Sequence, residues 1–141
     1  HPLTLMCRDI SEAARYVTIS DTLFRPLRKL TPGPYCFVLQ ATKQVPKVLR
    51  MRRKEVGVRI PDDPVCQGLM QELDGPLLTT SAGHGDAVFV DPSDIASAYG
   101  EVAVLLDSGA GGYEPSSVVD MTQEPPQVLR AGAGDVSLFE D

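Results

Sequence analysis

Two arginines and a small set of hydroxyls, each at the end of an apolar run, are the side chains here that could hold a charged ligand. Arg59 closes Val56-Gly57-Val58-Arg59-Ile60-Pro61, and alternation turns it to the opposite face from Val58 and Ile60. Arg130 closes Val128-Leu129-Arg130, just before Gly132 and Gly134. An arginine in such a place is either a carboxylate or phosphate binder or half of a structural ion pair. Between the two lies Pro76-Leu77-Leu78-Thr79-Thr80-Ser81-Ala82-Gly83-His84-Gly85, where a short apolar run meets three hydroxyls and then two glycines. Hydroxyls and bare amides at a strand end suit a carboxylate or phosphate, and glycine lets the main chain approach it. A plain surface loop has the same composition, so both readings stand. Ser116-Ser117 precedes a further apolar run. With Thr79, Ser81 and Ser117, the two arginines suggest an anion held in a cleft.

Other chemistries find little support. His1 and His84 have no Cys or carboxylate at zinc-ligand spacing, so no metal site is expected. Neither a Walker loop nor a dinucleotide fingerprint is present. Ser81 lacks the glycine pattern of a nucleophile elbow; its one nearby base is His84, which reads as a loop residue. No catalytic side chain is singled out. Cys7, Cys36 and Cys66 are odd in number and set among apolar residues. They read as buried thiols in a reducing compartment, which makes the cytoplasm the expected location.

The net charge of −6 hides an asymmetry. Nine basic residues and no acidic one lie between positions 25 and 54. Such a block attracts polyanions, and Lys47, Arg50, Arg52, Arg53 and Lys54 are the RNA-binding candidates within it. No aromatic residues are interleaved there for base stacking, so a solvated face and a basic loop form the alternative.

The elements that position these groups follow from period and punctuation. At 141 residues, 43% apolar and 23% charged, the chain fits a single globular domain over 1–141. No apolar run reaches the roughly 20 residues that span a bilayer, and no signal peptide opens the chain. A strand over 3–7 so near the start implies that the sequence begins mid-domain. A helix capped by Asp9 or Ser11 follows, then one over 22–30 capped by Asp21 and stopped by Thr31-Pro32-Gly33-Pro34. Strands are expected over 35–41, 56–60 and 77–81, with a basic loop and a short helical turn over 42–54. Asp63 with Pro64 opens a helix that ends at Asp74-Gly75, and Asp91-Pro92 opens another to Tyr99. Residues 102–107, 117–120 and 127–130 complete the strands. Alternation first and strands gathering later predict an α/β (α+β) mixed sheet flanked by helices.

These pieces, in this order, resemble the YrdC-like family, best known for threonylcarbamoyl-AMP synthesis. The motifs are Thr31-Pro32-Gly33-Pro34 leading into its strand, Val58-Arg59-Ile60-Pro61 with Pro64, the Pro76–Ala82 stretch, Ser116-Ser117-Val118-Val119-Asp120 and Val128-Leu129-Arg130-Ala131-Gly132. The opening Leu3-Thr4-Leu5-Met6-Cys7-Arg8-Asp9 is most similar to the YciO branch. The resemblance implies a YrdC/RibB-like twisted sheet with a large concave cleft. It implies ATP with Mg²⁺, threonine as co-substrate, and a carbamate that attacks the α-phosphate and releases pyrophosphate for a tRNA modification. By position, Arg59, Thr79, Ser81, Ser117 and Arg130 are the implied ATP- and substrate-binding residues. The family is also described as binding double-stranded RNA, so an RNA or ribosome-associated module is the alternative. Two departures stand out: the family's N-terminal Lys-x-Arg segment is not in this sequence, and Gly83 replaces the asparagine of its Ser-x-Asn motif. The second removes a donor and an acceptor.

Overall fold

The computed structural model describes residues 3–50, 54–84, 87–112 and 114–140. The chain divides into two compact units, His1–Thr80 with Ser116–Asp141, and Ser81–Pro115.

The larger unit is built on a six-stranded mixed sheet. Its strands are β1 (Thr4–Met6), β2 (Tyr35–Gln40), β3 (Glu55–Arg59), β4 (Leu77–Thr79), β7 (Ser117–Asp120) and β8 (Gln127–Arg130), in the order β4-β1-β3-β2-β7-β8. β1 with β3 and β2 with β7 are parallel, and the other three pairs are antiparallel. β2 is an interior strand buried on both faces from Tyr35 to Leu39, which explains its unbroken apolar run. The core lies on one face, where Leu5, Tyr35, Phe37, Val58 and Val119 meet helix-side residues such as Ala13 and Leu27.

The helices start where their caps dictate. Asp9 accepts from the Glu12 amide and opens α1 (Ile10–Ala13). α2 (Asp21–Leu30) begins one residue earlier than expected, with Ser20 in the cap position. Asp63 accepts from the Val65 amide at 3.0 Å, Pro64 takes the first position of α3 (Pro64–Leu73), and Asp74 ends it in the left-handed conformation. A single 3₁₀ turn, Lys47–Leu49, is the helical turn expected in the basic loop.

The smaller unit departs further from the sequence reading. A hairpin of β5 (Gly83–His84) and β6 (Ala87–Val88) leads to α4 (Pro92–Ala98), which Asp91 caps through the Ser93 amide. That bond also holds the Asp91 carboxyl below the usual carboxylate range. Phe89 and Tyr99 meet edge to face at 6.3 Å. Residues 102–107 form no strand. The expected strand fails because period and apolarity alone do not supply a partner: the described backbone there has no adjacent strand, and Val104 is 73% exposed. At Gly109, φ of +98 turns the chain beside Asp107, whose carboxylate accepts the Gly109 amide.

Candidate functional site

The sheet face opposite the core carries the candidate site. Register places Leu77, Met6 and Arg59 side by side across β4, β1 and β3. One step beyond the Phe37–Val58 pair, Arg59 faces Cys36, which in turn pairs with Val118, and Val118 with Arg130. Arg59 and Arg130 therefore lie in one row of one face, three strand spacings or about 14 Å apart at the backbone. A neighbouring row carries Thr79, Thr4 and Gly57.

Cys36 lies between the two arginines in that row, and the charges of Arg59 and Arg130 both favour ionisation of its thiol. Burial still wins and holds the Cys36 thiol above its usual range. The same direction holds for Cys66, raised by burial and Asp63, and for Cys7, pushed up to about 12 by burial with Glu12 and Asp9 adding to it. All three thiols are free but protonated at neutral pH, so none is a ready nucleophile.

Arg130 is anchored by its neighbour. Its Nε donates to the Ser116 carbonyl at 2.8 Å and its Nη2 to the Ser116 hydroxyl at 3.2 Å. Neither Arg59 nor Arg130 has a carboxylate partner among the described residues. Of the two sequence readings for such arginines, the structural ion pair is the one without a partner. Arg59 also lines a cleft of about 350 Å³ with Gly33, Pro34, Tyr35, Pro61 and Asp62. The turn at residues 31–34 thus forms a wall beside the arginine.

The hydroxyls divide between the two faces. Thr79 pairs with Thr4 across β4 and β1, their Oγ atoms 2.7 Å apart. Thr4 is a neighbour of the candidate site that sequence reasoning missed; its alternation with Leu3 and Leu5 was the available signal. Ser117 is fully buried on the core face. Its hydroxyl donates to the Gly134 carbonyl at 2.6 Å and accepts from the Gly132 amide at 2.8 Å, tying down the chain after β8. Ser116, one residue earlier, takes the place beside Arg130. Ser81 opens the smaller unit and is exposed there.

The basic block is spread along loop and turn. Lys47 and Lys54 are exposed, whereas the Arg50 guanidinium donates to the Val45 carbonyl at 2.9 Å. Arg52 and Arg53 lie outside the described residues, as does Gly85. Among the described residues no group of three or more His, Cys, Asp or Glu is placed to hold a metal ion. A Mg²⁺ arriving with a nucleotide would rely on phosphate and water oxygens. No helix among the described residues is long and apolar enough to cross a membrane.

Comparison with known proteins gives this face its relatives. A family model for Sua5, YciO and YrdC proteins, described as "Telomere recombination", matches residues 1–132. The uncharacterized protein YciO of Escherichia coli (strain K12) is 38% identical over 99% of this chain and 69% of its own. The crystal structure of E. coli YciO superposes with a TM-score of 0.94 over the same shares. A threonylcarbamoyl-AMP synthase of Chromohalobacter salexigens is 30% identical over 84% of this chain and 66% of its own. P. abyssi Sua5 complexed with L-threonine shares the fold, at a TM-score of 0.89 and 24% identity over 99% of this chain and 42% of its own. With the family model covering residues 1–132 and a relative 38% identical along almost the whole chain, the chain belongs to the Sua5/YciO/YrdC family.

Proposed function

We propose that this protein binds ATP on the sheet face opposite the core, with Arg59 and Arg130 on phosphate or carboxylate oxygens and Thr79 positioning the ligand. The observation that carries this reading is the row of two arginines without carboxylate partners among the described residues. Guanidiniums match phosphate and carboxylate geometry. Relatives named as threonylcarbamoyl-AMP synthases, and a fold neighbour holding L-threonine, support a small amino acid as the second ligand. The reaction class is then attack of a carbamate oxygen on the α-phosphorus, with the bond to pyrophosphate breaking, in the service of tRNA modification. Gly83, where the synthases keep an asparagine, removes one polar group from that chemistry. Three free thiols agree with a reducing, cytoplasmic setting.

Calorimetric titration of the whole chain with ATP tests this. Arg59→Ala and Arg130→Ala should each weaken binding about tenfold or more. Unchanged affinity in both variants would remove the proposed site. Pyrophosphate release with ATP, bicarbonate and threonine then tests the reaction separately.

Exposed Lys47 and Lys54 favour one second reading, contact with double-stranded RNA. In that case binding to an RNA duplex falls steeply with salt and is lost when Lys47, Arg50 and Lys54 are neutralised. A flat salt response excludes it.

A further inference from the structure

On the helix-covered side of the same sheet, a second concavity of about 310 Å³ lies between α2, the turn at residues 124–126 and the 3₁₀ turn Ser137–Phe139. Its walls are apolar: Leu23 and Pro26 from α2, Pro126, and Leu138 with Phe139 from the C-terminal turn. Leu23 and Phe139 pack against the core, so the floor of the groove is continuous with it. Leu138 stands 47% exposed at the rim. Arg25 and Lys29, four residues apart on α2, add two positive charges against the single carboxylate of Glu124. Neither cation has an ion-pair partner among the described residues. Like charges at this helical spacing repel, and an anion between them relieves the repulsion.

An apolar pocket with charge at one end selects amphipathic ligands. Its volume sits at the lower end of the range for small-molecule sites, which suits a compact ligand. A phosphodiester backbone would leave the Leu138 and Phe139 wall unused, and a neutral hydrocarbon would leave the two cations unused. We propose that this groove is a second ligand site for an amphipathic monocarboxylate, its chain against Leu138 and Phe139 and its carboxylate between Arg25 and Lys29. The site is independent of the nucleotide reading, because Arg59 and Arg130 lie on the opposite face of the sheet.

Titration of the whole chain with octanoate, below its micelle concentration and followed by NMR shifts of the Leu138 and Phe139 side chains, tests the proposal. Saturable shifts confined to this groove are expected, with octanol binding about tenfold more weakly. Arg25→Gln with Lys29→Gln should lose the preference for octanoate over octanol. Glu124→Gln should tighten octanoate binding, a sign that a purely structural role for Glu124 would not produce. Arg59→Ala and Arg130→Ala should leave octanoate binding unchanged. Arg25, Lys29 and Glu124 are exposed polar residues, so the groove variants should fold. Equal binding of octanoate and octanol, or shifts centred on the exposed apolar residues 102–106, would overturn the proposal.

Discussion

Ser117 shows how one residue of register separates a ligand group from a structural one. Its hydroxyl holds Gly132 and Gly134 on the core face, while Ser116 contacts Arg130. Ser117→Ala leaves the Gly132 amide without its partner and should cost about 1–3 kcal/mol in a urea melt, with ATP affinity kept. Loss of affinity at unchanged stability would instead bring Ser117 back into the cleft. Gly57 is the other decisive position. A Cβ there would sit 2.8 Å from the Cys36 sulfur and 3.0 Å from the Thr4 methyl. Gly57→Ala should therefore destabilise the protein by about 1–3 kcal/mol, read as a lower urea midpoint. A neutral outcome would mean that Cys36 can move aside. Both arginines were legible in the sequence as ligand candidates. That they share a row was not, because the spacing of 71 residues between them says nothing about strand order.

Elements bounded by local chemistry were read well, and those needing a distant partner less well. Asp63-Pro64 and Asp91-Pro92 announce α3 and α4 through caps that involve neighbouring residues alone. The strands 117–120 and 127–130 match the sequence expectation residue for residue. Residues 102–107 carry the same apolar signal as β2, yet β2 lies between β3 and β7 and 102–107 pairs with neither. Amide hydrogen exchange should separate the two: β2 amides open only with global unfolding, while those of 103–107 exchange fast. Strong protection across 103–107 would show a strand partner that the fold described here lacks.

At the scale of the molecule, buried neutral thiols shape the response to pH. Cys7 titrates near 12 in the folded state against an ordinary 9.0, and Cys36 and Cys66 are raised as well. Above the ordinary value the unfolded chain has lost protons that the folded chain still binds. The contribution of Cys7 is therefore fully present below pH 9.0 and is lost as pH rises towards 12, by up to about 1.4 kcal/mol per pH unit; Cys36 and Cys66 act in the same direction. Urea melts between pH 8 and 10.5 should show this decline, with a shallower slope in Cys7→Ala. A flat profile would mean that the thiol ionises in the native protein.

The sequence by itself determined the strands and helices of the larger unit, the Asp9, Asp63 and Asp91 caps, the mixed-sheet class and the family, since each depends on neighbours along the chain or on motifs in order. Tertiary structure alone decided which face each strand hydroxyl takes, that Arg59 and Arg130 share one row of the sheet, and that residues 102–107 form no strand. Those outcomes depend on strand order and register, which are set by burial of one sheet face across segments far apart in sequence.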